Sequence, residues 1–143
     1  MRKILFRGQR TDNKEWIEGC YIESVAKNSP FAYITTSYPS EPIRVYSKTV
    51  GQYTCFNLKD TKVFDGDIID VFPSNRKMYV FFNEETLAWE LADVGTKPCE
   101  INHLINCISL GELGVEACFE NEVRSKVIGN IHNNPELMIK ECV

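Results

Sequence analysis

Acidic residues cluster most closely in the segment VFDGDIIDV at residues 63–71, where Asp65 and Asp67 flank Gly66 and Asp70 follows. Closely spaced carboxylates can bind a divalent cation or act in acid–base catalysis. The spacing does not match a calcium-binding loop, which has ligands at alternating positions and a distal glutamate. Glycine fits a position with positive φ, and aspartate side chains bond nearby amides in such turns. We therefore predict a structural turn at Asp65-Gly66-Asp67, in preference to a metal site or a catalytic site.

A second candidate site combines two cysteines and a histidine. Cys99, His103 and Cys107 are spaced four apart, so they would share one face of a helix, and thiolate and imidazole groups suit zinc. Cys118 could supply a fourth ligand. Structural zinc ligands usually come as paired cysteines on turns, and none of the six cysteines forms a C-x-x-C pair. We therefore predict free thiols, no bound metal and no other cofactor.

Signatures of catalysis are sparse along the chain. The sequence has two histidines, His103 and His132, and it has neither a nucleophile elbow nor a phosphate-binding glycine motif. His132 follows a predicted strand, where a surface or capping role is commoner than that of a general base. We therefore predict that the protein is not an enzyme and assign no catalytic residue.

Composition indicates one folded domain over residues 1–143. Hydrophobic residues make up 43% of the chain and charged residues 25%, which is close to the average for globular proteins. The longest apolar runs are far shorter than the roughly 18 residues of a membrane span, and the basic N-terminus lacks the apolar core of a signal peptide. We expect a cytoplasmic protein without membrane contact.

Short runs of β-forming residues, separated by turn-forming residues, indicate a mainly β fold. Residues 67–72 and 77–82 are expected to form a hairpin, because Pro-Ser-Asn-Arg between them is typical of a turn. Strands at this spacing favour a barrel or a small sandwich over βαβ units. The predicted strands cover residues 3–7, 15–24, 29–37, 42–47, 50–55, 67–72, 77–82, 86–92 and 126–131.

Two helices are expected in the second half of the chain. Near the C-terminus, Asn134, Pro135 and Glu136 supply an N-cap, a first helical residue and an acidic first turn for a short helix. In mid-chain, a helix is predicted over residues 98–110 because apolar residues recur at helical spacing: Ile101, Leu104, Ile105 and Ile108.

Four motifs follow one another along nearly the whole chain: MRKILFRG at 1–8, VGQYT at 50–54, FDGDIIDV at 64–71 and VIGNIHNNPEL at 127–137. Their order and spacing resemble the YopX-like family, small proteins of bacterial genomes that come largely from phages and prophages. The resemblance implies a mostly β fold, with a small SH3-like barrel that carries the Gln-Tyr-Thr and Gly-Asp-Ile segments. It implies a genomic setting more than a function.

The chain departs from this family pattern after Gln-Tyr-Thr. The family usually has a glycine there and an Asn-Gly turn in the following hairpin, whereas this chain has Cys55 and no glycine between Phe56 and Thr61. We therefore expect the hairpin to use a turn other than the type I′ that Asn-Gly favours.

Two binding functions fit these observations. The preferred prediction is a protein-binding accessory protein, because small β domains can bind a peptide at a sheet edge or in an aromatic groove. The alternative is nucleic-acid binding, which the net charge of −4 opposes. It would use a basic N-terminal arm: Arg2, Lys3, Arg7 and Arg10.

A homo-oligomer is also expected. The N-terminal segment and residues 98–110 carry more apolar residues than one small barrel needs, which predicts an exposed apolar patch.

Overall fold

A computed structural model of the protein describes residues 1–37, 41–102, 106–113 and 124–139. Its contacts divide the chain into two compact units, residues 1–56 and residues 57–143. In the described part of the chain, no helix has the length and apolar character needed to cross a membrane.

The first unit is an antiparallel sheet with the strand order β4-β3-β2-β1-β5. A 3-10 helix, Ser47–Thr49, connects β4 to β5. On one face of the sheet, Ala32, Ile34 and Val45 form a buried cluster with Ile17 and Val50 packed against it. Alternate residues of a strand point to opposite faces, so this cluster decides which face is the interior. The strands are β1 (Phe6–Gln9), β2 (Trp16–Ile22), β3 (Phe31–Thr35), β4 (Ile43–Tyr46) and β5 (Gly51–Leu58).

The second unit is built on a five-stranded antiparallel sheet with the order β10-β9-β8-β7-β11. β6 precedes this sheet and follows β5 in the strand order of the first. The core of the second unit contains Ile68, Ile69, Met78, Val80 and Leu91, each at most 1% exposed. The strands are β6 (Thr61–Phe64), β7 (Asp67–Val71), β8 (Arg76–Asn83), β9 (Ala88–Asp93), β10 (Cys107–Ser109) and β11 (Lys126–Asn130).

The predicted hairpin in the second unit is confirmed. Ile68 of β7 pairs with Tyr79 of β8, and Val71 pairs with Arg76 next to the turn. β9, predicted as the following strand, pairs with β8 along six residues. Local turn chemistry and β-propensity therefore agree with the tertiary structure in this part of the chain.

The two sheets are not closed into a barrel, so the SH3-like barrel implied by the family resemblance is not confirmed. In the first unit, β4 and the end of β1 are linked by a single bridge between Val45 and Arg10. No continuous ladder joins β4 to β1 among the described strands. The segments expected to share the barrel also lie in different sheets, with Gln52–Thr54 in β5 and Gly66–Ile68 at the start of β7.

The predicted helix over residues 98–110 is wrong. Pro98–Glu100 form a 3-10 helix, but Cys107–Ser109 form β10, in which Cys107 pairs with Ala92 and Ile108 with Leu91. Pairing with the edge of β9 overrides the helical spacing of the isoleucines, because backbone hydrogen bonds to a neighbouring strand outweigh a weak local preference. An α-helical turn follows at residues 110–113, and His103, Leu104 and Ile105 lie outside the described residues.

The short helix expected near the C-terminus is a 3-10 helix, Pro135–Met138. Asn134 occupies the N-cap position, but its side chain makes no capping hydrogen bond. Instead Asn134 Oδ1 accepts a hydrogen bond from the backbone N–H of Asn130 at 3.3 Å. The side chain therefore connects the 3-10 helix back to the end of β11.

The connection between β5 and β6 differs from an Asn-Gly turn, as expected. It consists of Lys59 and Asp60, and of these two only Lys59 has a positive φ, at 53°. A type I′ turn needs positive φ at both central residues. The turn in this segment, which lacks glycine, is therefore not of type I′.

Cys55 adopts a conformation that favours glycine. Its φ is 66° within β5, a left-handed value that disfavours residues with a Cβ. Its thiol is exposed and donates a hydrogen bond to the carbonyl of Lys3 at 3.2 Å. The glycine that the family resemblance implies at this position would adopt this backbone conformation without strain.

Replacing Cys55 by glycine should stabilise the protein. We expect Cys55→Gly to raise the free energy of unfolding by about 0.5–1 kcal/mol, since relief of the left-handed strain exceeds the loss of one exposed hydrogen bond. Chemical denaturation monitored by circular dichroism measures the change. Cys55→Ser is the matched control, because it keeps both the strain and a donor to Lys3 and should gain nothing. A glycine variant less stable than the serine variant would contradict this interpretation.

Candidate functional site

The turn between β6 and β7 uses its polar groups to hold its own backbone. Asp67 is 2% exposed, and its Oδ2 accepts a hydrogen bond from the N–H of Phe64 at 2.8 Å. Gly66 has a φ of 83°; its N–H donates to the carbonyl of Val80, and its carbonyl accepts from the N–H of Ile131, both at 2.9 Å. The positive φ predicted for Gly66 and the strand predicted after it are both present.

The segment after β11 packs against this turn. Asn130 pairs with Asp67 across the two strands, and its side-chain oxygen accepts hydrogen bonds from the N–H groups of His132 at 3.0 Å and Asn133 at 2.9 Å. A Cβ on Gly66 would lie 3.9 Å from His132 Nε2. The FDGDIIDV and VIGNIHNNPEL motifs therefore meet in one structure that is held by side-chain bonds to the backbone.

A buried carboxylate organises the other end of this sheet. Glu90 is 5% exposed and accepts three hydrogen bonds: from Thr86 Oγ1 at 2.7 Å, from Asn83 Nδ2 at 2.9 Å and from the thiol of Cys107 at 3.2 Å. Burial, together with the hydrogen bond to Glu90 and the charge of its carboxylate, raises the pKa of Cys107 to about 12. A thiol with such a high pKa is a poor nucleophile at neutral pH.

Of the candidate zinc ligands, Cys99 and Cys107 do not share a helical face. Cys107 lies in β10 and points into the Glu90 network, whereas Cys99 is exposed in a 3-10 helix; His103 and Cys118 lie outside the described residues. Among the described histidines, cysteines and carboxylates, no three come together as metal ligands would. The four-residue spacing therefore does not place Cys99 and Cys107 on one helix.

The four basic residues of the predicted N-terminal arm have different environments. Arg2 and Lys3 are exposed ahead of β1. The guanidinium of Arg7 lies 4.8 Å from the ring centre of Trp16. Arg10 forms two hydrogen bonds with the carboxylate of Asp12, at 2.9 and 2.6 Å. The charge of Arg10 is thus locally compensated, which leaves Arg2 and Lys3 as the open part of the arm.

The charge of the chain is divided unevenly between the two units. The first unit has eight Lys and Arg against five Asp and Glu, a formal charge of +3, and the second has eight against fifteen, a formal charge of −7. The net charge of −4 conceals this division, because the boundary between the units is not visible in the composition.

The most distinctive exposed surface lies on the outer face of β2, β3 and β4. In the register of these strands, Tyr33 pairs with Ile22 on one side and with Arg44 on the other, and Phe31 pairs with Tyr46. Directly paired residues share a face of the sheet, and this face is opposite to the buried one. We call these five residues the aromatic–arginine face: Ile22, Phe31, Tyr33, Arg44 and Tyr46.

Close contacts hold the aromatic–arginine face together. The guanidinium of Arg44 lies 4.6 Å from the ring centre of Phe31, and the rings of Phe31 and Tyr46 are 6.2 Å apart. Ile22 is 44% exposed and Tyr33 36%. The alternation of Phe31 and Tyr33 with small or aliphatic residues is visible in the sequence, but it does not say which set faces solvent.

The other tyrosines of the chain are placed differently. Tyr53 is buried, and the hydroxyl of Tyr79 donates a hydrogen bond to the carbonyl of Thr96 at 3.0 Å. Tyr21 packs against Phe6 with ring centres 5.4 Å apart. Tyr38 lies outside the described residues. Tyr33 and Tyr46 are therefore the two candidates that the structure brings together.

Replacing Gly66 by alanine should destabilise the protein. An alanine at this position would have to adopt a φ of 83°, and its Cβ would lie 3.3 Å from Cγ1 of Ile131. Gly66→Ala should therefore lower the free energy of unfolding by about 1 kcal/mol or more. Denaturant titration provides the measurement. The control is Gly111→Ala, where the nearest contact of the added Cβ is 3.5 Å away and the residue is helical; equal losses at the two positions would contradict the positive-φ argument.

The Glu90 network should make Cys107 unreactive and its stabilisation pH-dependent. In the folded protein, iodoacetamide should modify the exposed Cys20, Cys55 and Cys99 but not Cys107, as checked by peptide mass spectrometry. Because folding raises the pKa of Cys107 from 9.0 to about 12, its contribution to stability is complete below pH 9 and is lost as the pH rises toward 12. Cys107→Ser, which has no thiol to ionise, should show a shallower fall in the free energy of unfolding over this range; an identical fall would exclude the effect.

Comparison with known proteins bears on the four sequence motifs. A family model described as YopX protein matches residues 5–139, nearly the whole chain. A search of curated proteins found no match to the sequence. The match spans both compact units, including the turn at Gly66 and the segment around Asn130. The chain therefore belongs to the YopX family.

Proposed function

We propose that the protein is a non-enzymatic accessory protein of phage or prophage type that acts in the bacterial cytoplasm. In this proposal it binds another protein through the aromatic–arginine face. The observation that carries the proposal is the cross-strand row of Ile22, Tyr33 and Arg44 beside the paired rings of Phe31 and Tyr46. Membership of the YopX family supports the phage setting.

The chemistry of this face is suited to protein recognition. Tyrosine and arginine are enriched among the residues that contribute most to protein–protein binding, because each combines a large apolar area with polar groups. Arg44 also donates a hydrogen bond from Nε to the hydroxyl of Thr11 at 3.2 Å, which holds its side chain over Phe31. A side chain already held in place loses less conformational entropy when a partner binds.

The backbone beneath the face is equally well fixed. Ala32, Ile34 and Val45, which alternate with the exposed residues, are at most 1% exposed. The face is thus carried by paired strands over a packed core and presents a preformed surface. Its single cation lies in a unit with a formal charge of +3, so we infer a partner surface with an apolar centre and acidic residues around it.

Nucleic-acid binding is the second candidate, because the first unit has the formal charge of +3 and combines exposed aromatic rings with arginine. Two observations favour a protein instead. The guanidinium of Arg44 lies over the ring of Phe31 and competes with a base for that position, and Arg10 is paired with Asp12. With these two arginines engaged, few phosphate contacts would form, so binding to a nucleic acid would depend only weakly on salt.

The experiment is affinity capture from bacterial cytoplasm, followed by calorimetry with the purified partner. Tyr33→Ala and Arg44→Glu should each weaken binding at least about tenfold, since they remove residues of the type that dominates interfaces. Lys48→Glu is the matched control, because it makes the same charge change at an exposed position of the same unit outside the face, and it should bind as the wild type does.

Two outcomes would overturn the proposal. Recovery of a partner that is insensitive to both face variants would assign binding to another surface. Recovery that is abolished by nuclease, with a steep dependence on salt, would establish the nucleic-acid alternative.

A further inference from the structure

A groove of about 460 Å³ lies at the end of the β8–β9 hairpin in the second unit. Phe82 and Ile101 form an apolar part of its lining, and Glu84 and Glu85 form an acidic part. Neither glutamate side chain forms a hydrogen bond or ion pair with the described residues. We call this feature the acidic groove. It combines an apolar surface with two carboxylates that are available to a cationic group.

The apolar wall of the acidic groove is fixed in position. Phe82 is 42% exposed although it belongs to β8, where it pairs with Trp89 of β9. The two rings meet edge to face with centres 5.2 Å apart, a favourable geometry for aromatic pairs. Leu87, in the connection between the strands, is 75% exposed. Phe82 and Ile101 both line the groove, and exposed apolar patches often mark binding sites.

The first unit supplies a segment with the complementary chemistry. Residues 1–4 are the part of the basic N-terminal arm that precedes β1, and from here on the name N-terminal arm refers to these four residues alone. They combine two exposed apolar side chains with two exposed cations. Met1 is fully exposed and Ile4 is 67% exposed, and the side chains of Arg2 and Lys3 form no ion pair within the described part of the chain. Among the residues that the structure describes, the basic groups of the arm are therefore unpaired and its apolar groups are exposed.

The base of the arm is tied to β5. The carbonyl of Lys3 accepts the hydrogen bond from the thiol of Cys55, and the carbonyl of Leu5 accepts one from the N–H of Tyr53 at 2.8 Å. These two bonds fix the chain where the arm meets β5. Only a few residues therefore need to become ordered when the arm docks. Ordering few residues lowers the entropic cost of association.

We propose that the N-terminal arm of one copy of this chain docks in the acidic groove of a second copy. Ile4 and Met1 contact Phe82 and Ile101, and Arg2 and Lys3 pair with Glu84 and Glu85. Reciprocal docking of two arms in two grooves gives a closed, twofold-symmetric dimer. The same complementarity appears in the formal charges of +3 and −7 on the two units. The arm and the groove share no residue with the aromatic–arginine face, so either proposal can fail without the other.

The test uses charge reversal on each half of the contact in the full chain, after nuclease treatment. Sedimentation velocity should show a concentration-dependent dimer for the wild type. An arm variant, Arg2→Glu with Lys3→Glu, and a groove variant, Glu84→Lys with Glu85→Lys, should each dimerise at least tenfold more weakly alone, because like charges then face each other.

Mixing the two variants is the decisive step. The acidic arm of one matches the basic groove of the other, and the remaining arm and groove keep their natural charges, so an equimolar mixture should form a heterodimer close to wild-type affinity. If the arm docked in the groove of its own chain, mixing would restore nothing. A chain carrying all four reversals should dimerise by itself.

The control variant carries Lys27→Glu and Lys48→Glu, which change the charge equally at exposed positions outside the arm, and it should dimerise like the wild type. Thermal unfolding followed by circular dichroism verifies that each variant is folded. The proposal is overturned by a wild type that stays monomeric up to high concentration, by a dimer that tolerates both reversals, or by a mixture that does not associate.

Discussion

The second unit depends on one buried hydrogen bond, from the N–H of Phe64 to the carboxylate of Asp67. A carboxylate that is 2% exposed loses most of its hydration, and that loss is offset only when hydrogen-bond donors replace the water. The bond closes the turn at Gly66 and so sets the direction of β7. Since β7 pairs with β8 on one side and β11 on the other, this turn positions the strand to which both neighbours are hydrogen-bonded.

The features predicted correctly from sequence are those governed by neighbouring residues. The glycine between two aspartates indicated the positive φ of Gly66, and Pro-Ser-Asn-Arg indicated the turn between β7 and β8, because backbone preferences act within a few residues. The helix expected over residues 98–110 was wrong because its isoleucines suit a strand as well as a helix. Their assignment depends on the edge of β9, which pairs with Cys107–Ser109 from a distant part of the sequence.

The candidate binding surfaces could not be predicted for a related reason. The row of Ile22, Tyr33 and Arg44 exists only through the register of three strands, and a shift of one residue would move these side chains to the buried face. The opposite charges of the two units are hidden in the net charge of −4. The left-handed φ of Cys55 was not predicted either, because the β-forming residues around it favour an extended backbone.

Several buried polar side chains of the second unit are engaged in structural hydrogen bonds. Asp67 accepts a hydrogen bond from the backbone N–H of Phe64. Asn130 accepts hydrogen bonds from the backbone N–H groups of His132 and Asn133, and Glu90 accepts hydrogen bonds from three side chains. A general acid or base must exchange its proton with a substrate, so a group that is buried and bonded to its own chain is poorly placed for that role. On the aromatic–arginine face, by contrast, aromatic rings, an aliphatic side chain and a guanidinium lie together across three strands. The proposed binding function therefore depends on side chains that the register of the strands brings together, and not on the buried polar groups.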